Sequence, residues 1–153
     1  GEKAIEKYCP NAFIVRTSWL YSPYKANFVK TMLRLGKSRT EIGVVYDQVG
    51  SPTYAPDLAK ALVKIAQQTS NNTGGIYHYN NQGVASWFDL ATAAIEIAQL
   101  NCKVNPIETK DYPTPAKRPA YSVLHCAKIK HDFQIAIPHW RNSLQVCIKQ
   151  LFT

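Results

Sequence analysis

One short run decides much of what this chain can become. Ala12-Phe13-Ile14-Val15 is apolar without interruption and leaves through the polar pair Arg16-Thr17. A run of this kind, without alternation, predicts a strand covered on both faces, as in parallel sheets. Parallel strands need crossovers, and the rest of the sequence supplies helices to make them. Residues 1–8 have the pattern of an amphipathic helix end, stopped by Pro10. After a loop at Ser22–Lys25, Phe28, Val29, Met32, Leu33 and Leu35 recur at helical spacing, with Gly36 as the expected stop.

Ile42–Tyr46 reads as a second strand, and Asp47–Thr53 as a loop dense in turn residues. Pro56 suits the first position of a helix whose expected buried stripe is Leu58, Leu62, Ile65 and Ala66. Asn71–Gly75 breaks that helix ahead of a strand at Ile76–Tyr79. Ser86 and Asp89 have the spacing of a capping box, with Asp in place of Glu, and open a helix to about Leu100. Lys103–Glu108 reads as a strand. Tyr112–Pro119 carries three prolines, which exclude a helix interior or a central strand, so it is an ordered loop or a linker. Two short helices follow at about 125–132 and 141–151, with Ile135–Pro138 extended between them. The fold class is α/β.

At 153 residues the chain suits one domain, and 46% hydrophobic residues give it a core to bury. No apolar run approaches the roughly 20 residues of a membrane helix, and no membrane partner is expected. The chain begins at Gly1 without a methionine or a signal-peptide pattern, which suggests a piece of something longer. The net charge is +8. It is scattered apart from Lys25, Lys30, Arg34, Lys37 and Arg39, whose spacing suits a solvated helix face. No nucleic-acid-binding module is recognisable, so a nucleic-acid partner is not expected. Cys9, Cys102, Cys126 and Cys147 form no C-x-x-C, and the four histidines are equally scattered. No metal is therefore expected, and the cysteines read as reduced thiols of a cytoplasmic protein.

The familiar catalytic signatures are absent: no G-x-G-x-x-G, no Walker A loop, no H-E-x-x-H, no G-x-S-x-G. Three stretches could carry chemistry instead. Arg16-Thr17-Ser18-Trp19-Leu20-Tyr21 stands at the carboxyl end of a predicted parallel strand, where open α/β sheets bind ligands. The plainer alternative is a strand end packing an aromatic ring into the core. Asp47-Gln48-Val49-Gly50-Ser51-Pro52-Thr53 offers hydrogen-bonding groups for sugar hydroxyls and a glycine for close approach. It equally suits a tight turn capping its own backbone. Pro113-Thr114-Pro115-Ala116-Lys117-Arg118-Pro119 could present a guanidinium to a diphosphate, or be a stiff connection with solvated charges.

These stretches, taken in order together with Asn27-Phe28 and Lys30-Thr31-Met32-Leu33, resemble the dTDP-4-dehydrorhamnose reductases, a family of extended short-chain dehydrogenase/reductases. The resemblance runs from Gly1 to about Leu151. It implies the C-terminal part of a Rossmann-type parallel sheet plus the small substrate-binding domain. Residues 1–153 would form one nucleotide-sugar-binding unit, with residual Rossmann elements at about 1–20 and 53–80. It further implies NADPH- or NADH-dependent reduction of a dTDP-4-keto-6-deoxysugar to dTDP-L-rhamnose by a homo-oligomeric enzyme.

The family's glycine-rich loop and its catalytic Tyr and Lys would lie upstream of Gly1. By that implication this stretch alone is inactive and holds no dinucleotide tightly. Tyr21-x-x-x-Lys25 has the catalytic spacing, but Pro23 between them opposes a shared helical face. Carried over by motif position, Trp19 would lie against the deoxysugar and Thr17 and Ser18 near the nicotinamide end. Asn27 and Arg118 would point toward the diphosphate, and Gln48 would join the substrate-binding set. The alternatives are a nucleotide-sugar epimerase or dehydratase of the same superfamily, and a non-catalytic regulatory relative.

Overall fold

A computed structural model describes residues 1–69 and 74–152. The chain opens with α1 (Glu2–Tyr8), β1 (Phe13–Arg16) and the two-residue β2 (Leu20–Tyr21). Next come α2 (Phe28–Ser38), β3 (Glu41–Val45), β4 (Val49–Gly50), β5 (Thr53–Tyr54) and α3 (Ala55–Gln67). β6 (Gly75–His78), β7 (Ala85–Ser86), α4 (Trp87–Ile97) and β8 (Lys103–Ile107) follow, then a 3-10 turn at Thr109–Asp111, α5 (Ala127–Phe133) and α6 (Trp140–Phe152). Among the described residues the strands associate in pairs: β1 with β6, β2 with β5 and β3 with β8, all parallel, and β4 with β7 antiparallel. The architecture is α/β, as the apolar run and its flanking helices predict.

Two bodies of core are built on these pairs. Against β1 and β6, helices α3 and α5 bury Ala61, Ile65, Ile129 and Phe133 around Tyr77. The Phe133 ring stands edge-on to Tyr77 at 5.2 Å and to Phe13 at 5.9 Å. On the other side, α4 lies against α2 and α6 through Ala93 and Ala94, whose small side chains admit Val29, Leu33 and Leu144. Its opposite face meets Met32, Ile42 and Val44, which brings in the β3–β8 pair. Side-chain hydrogen bonds on Asn81 tie the two bodies together. Its Oδ1 accepts from the Tyr54 amide at 2.7 Å. Its Nδ2 donates to Asp57 at 2.8 Å, to the Pro138 carbonyl at 3.2 Å and to the Ser143 hydroxyl at 3.1 Å. Ser143 in turn donates to Asp57 at 2.6 Å. Asn81 is fully buried, so these bonds replace those it would make to water.

The structure corrects several local expectations. β1 is half-buried in this chain, not covered on both faces, because Phe13 and Val15 pack onto a single core. Gly36 does not stop α2. It is buried inside the helix, where a Cβ would collide with Ile95 of α4. Pro56 stands at the second helical position, not the first, since α3 opens at Ala55. The stripe of α3 is Leu58, Ala61 and Ile65, while Leu62 is 42% exposed and Ala66 is exposed. The loop at Asp47–Thr53 contains β4 and opens β5. The expected break at Asn71–Gly75 falls partly outside the described residues, at 71–73. The capping box stands as read: Ser86 accepts from the Asp89 amide, and Asp89 accepts from the Ser86 amide. All four cysteines are free.

Candidate functional site

A cleft of about 830 Å³ opens between α2 and β3 on one side and the exposed segment 112–119 on the other. Trp19 stands at its wall with φ +46, a left-handed backbone that costs a tryptophan on the order of 1–3 kcal/mol and persists where the surroundings fix it. The surroundings here are specific. The Thr53 amide donates to the Trp19 carbonyl at 3.1 Å. The Trp19 ring stacks on Trp87 at 3.6 Å and 8°, and Trp87 meets Phe28 at 4.7 Å. Gly50 lies so close that an added Cβ would sit 2.6 Å from the Trp19 ring and 2.8 Å from the Ser122 hydroxyl. The glycine of the turn-rich loop is therefore required by the tryptophan of the strand exit.

Ser18 reaches the cleft wall, and its hydroxyl donates to the Ser51 carbonyl at 2.8 Å. Gln48 also lines the cleft, donating from Nε2 to the Thr109 hydroxyl oxygen at 3.1 Å. Asp47 is committed elsewhere: its carboxylate accepts from the Thr109 amide and hydroxyl. Those bonds, the hydroxyl's first, hold its carboxyl below the usual carboxylate range. Arg118 lines the cleft and has no ion-pair or hydrogen-bond partner among the described residues. Arg39 lines it too, with a side chain equally uncommitted.

Two of the expected site residues are not brought to the wall. Thr17 lies behind it, hydroxyl to hydroxyl with Thr53 at 3.4 Å. Asn27 caps α2: its Oδ1 accepts from the Lys30 amide at 3.2 Å and its Nδ2 donates to the Ser22 carbonyl at 2.7 Å. Neither Trp87 nor Thr109 stands out in the sequence, and Arg39, read there as part of a solvated basic helix face, instead follows α2 and lines the cleft. A signal for Trp87 was present, since the Ser86–Asp89 capping box sets it at the first position of α4.

The lining can grip a flat or apolar ring on the aromatic stack and offset negative charge with guanidinium groups. Tyr21 and Lys25 share no helical face. Tyr21 is 2% exposed in β2, its hydroxyl donates to the Trp140 carbonyl, and burial pushes its phenol above the usual range. Lys25 sits in the loop with φ +50. The strands that run straight into helices, β5 into α3 and β7 into α4, carry no glycine at the junction to cradle a pyrophosphate. Among the described residues no group of three or more His, Cys, Asp or Glu side chains could hold a metal ion.

The chain is similar to known proteins over its whole length. The dTDP-4-dehydrorhamnose reductase of Sinorhizobium fredii is 44% identical over 151 residues, covering 94% of this chain and 51% of the relative. A crystal structure of a dTDP-4-dehydrorhamnose reductase from Clostridium acetobutylicum superposes with a TM-score of 0.93 at 38% identity, over 99% of this chain and 53% of its own. The dTDP-4-dehydrorhamnose reductase of Bacillus anthracis, solved in complex with NADP, has a TM-score of 0.86 at 39% identity, over 97% of this chain and 51% of its own. The chain thus spans about half the length of the relatives it matches. The family model described as the RmlD substrate binding domain matches residues 1–153, and the chain belongs to that family.

Proposed function

We propose that this chain forms the nucleotide-sugar-holding part of an NADPH-dependent dTDP-4-dehydrorhamnose reductase, which reduces a dTDP-4-keto-6-deoxysugar to dTDP-L-rhamnose. One observation carries the reading: an aromatic stack and an uncommitted guanidinium face the same cleft, in a chain matched throughout by a substrate-binding family. Trp19 lies against the deoxysugar, while Ser18 and Gln48 supply polar groups beside it. Arg118 meets the diphosphate through charge-assisted hydrogen bonds. Thr17 and Asn27 serve from behind, the first on Thr53 and the second at the start of α2. When bound, the nicotinamide supplies hydride. Free thiols support a cytoplasmic location. A homo-oligomer is proposed for the complete protein on the family resemblance alone.

The test is a coupled measurement on the complete protein that carries this chain. With the dTDP-4-keto sugar it oxidises NADPH, and dTDP-rhamnose accumulates in step. A product formed without net NADPH oxidation would instead identify an epimerase or dehydratase.

A further inference from the structure

Residues 109–122 leave the body and return to it, and one short stretch, Asp47–Val49, holds both ends. At the outgoing end the Asp47 carboxylate accepts from the Thr109 amide at 2.9 and 3.1 Å and from the Thr109 hydroxyl at 2.7 Å. Gln48 adds a bond to the same hydroxyl oxygen. At the returning end the Val49 amide donates to the Ala120 carbonyl at 2.8 Å. The Val49 carbonyl accepts from the Ser122 amide at 2.8 Å and from its hydroxyl at 3.1 Å. Between the two clips every residue from Lys110 to Tyr121 is exposed. The bonds made there stay local, as from the Thr114 hydroxyl to the Ala116 carbonyl at 2.9 Å. Pro113, Pro115 and Pro119 stiffen the span. Arg118, near the returning clip, reaches the cleft.

A stiff arm held only at its stems takes its aim from the stems. The Thr109 clip is the stronger in kind, because its acceptor is a charged carboxylate. Neither Asp47 nor Thr109 is part of the cleft wall, so their clip acts on a ligand through the arm. We propose that Asp47 and Thr109 are positioning residues: their clip preorganises the arm so that Arg118 meets the diphosphate of the bound nucleotide sugar without an ordering cost at binding. The inference rests on the nucleotide-sugar reading above for the identity of the ligand, and on the clip geometry for the role.

The experiment uses the complete protein, wild type and Thr109→Val, Thr109→Ser and Arg118→Ala, with dTDP as the probe. Trypsin can cut the arm after Lys110 and after Lys117, while the Arg118–Pro119 bond resists it, so the rate of the Lys117 cut, resolved by fragment mass, reports arm order. Thr109→Val is expected to speed that cut about tenfold and to weaken dTDP binding about tenfold, the scale of one lost hydrogen bond to a charged group. It raises KM for the keto sugar and leaves kcat unchanged, and Thr109→Ser restores both readouts. An unchanged cutting rate in Thr109→Val overturns the clip, whatever the ligand. A faster cut with unchanged dTDP affinity, when Arg118→Ala does weaken dTDP, overturns the positioning role and leaves the function standing. Wild-type protein that does not bind dTDP overturns the nucleotide-sugar reading and this inference with it, and is recognised by the absence of any Arg118→Ala effect.

Discussion

The rings of Trp19 and Trp87 lie almost parallel, 3.6 Å apart between centroids, with Gly50 against the first and Phe28 against the second. That is closer to a face-to-face sandwich than to the offset arrangement aromatic rings prefer, so the neighbours hold the pair in place. The floor of the cleft is therefore a composite: Trp19 offers its exposed side to a ligand, and Trp87 sets the angle at which it does so.

Replacing either ring should abolish the same optical signature. A stacked indole pair can give an exciton couplet in the far-ultraviolet circular dichroism, expected to vanish in both Trp19→Ala and Trp87→Ala. Trp19→Ala lowers turnover of the keto sugar in the complete enzyme and leaves NADPH affinity nearly unchanged. Trp87→Ala produces a milder loss, about two- to tenfold, in line with an aromatic pair worth about 0.5–1.5 kcal/mol. A parallel fall in NADPH affinity would move Trp19 to the cofactor side of the site.

Gly50→Ala should act on Trp19 without touching its side chain. The added methyl meets the Trp19 ring and the Ser122 hydroxyl at once. Overpacking of this kind costs typically about 1–3 kcal/mol. A lowered melting temperature together with loss of the dichroism couplet is expected. A variant that keeps both would mean that the loop shifts freely.

The Asp47 clip has a pH signature whose sign is fixed by its partner. Hydrogen bonds from Thr109 lower the Asp47 carboxyl pKa in the folded chain. The clip's contribution is therefore complete above the unfolded value of about 3.9 and is lost as pH falls through the lowered folded value. The Thr109 amide resonance should stay constant from neutral pH down to about pH 4 and shift only below it. A midpoint above that value would show that the carboxylate is not held as described.

The 153-residue chain by itself should self-associate. Among the described residues β1 pairs with β6 alone, α1 buries none of its own residues, and Ile5 and Tyr8 are exposed. An unpaired strand edge recruits another chain. The charge of +8 opposes association less as salt screens it. Sedimentation is expected to show a species that grows with both concentration and salt, and a monomer throughout would mean that the Glu2–Arg16 ion pair is enough to hold α1 across the edge.

What the sequence made legible follows from how local each signal is. The capping box of α4 is written within residues 86–89 and was readable there. β4 and β5 are two residues each and exist because β7 and β2 lie beside them, a fact no local pattern carries. Gly36 reads as a helix stop because it follows an apolar stripe, whereas its missing side chain makes room for Ile95, 59 positions along. In the site, Trp19 and Arg118 stood out by type and context. Thr109 did not, because its importance lies in which carboxylate faces it.

Asn81 sets a limit on how this fold can be cut or rearranged. Its amide uses both chemical halves, accepting from Tyr54 and donating toward Asp57 and Ser143, so Asp, the nearest isostere, would press two acceptors against a carboxylate. The tie also joins α3 to α6 across a long stretch of chain. A circular permutation that opens the α3–α6 region must keep Asp57, Asn81 and Ser143 in one piece, or the two cores lose their common hinge pin. An α6 taken from another protein keeps the tie where it brings a hydroxyl to the place of Ser143, able to accept from Asn81 and donate to Asp57.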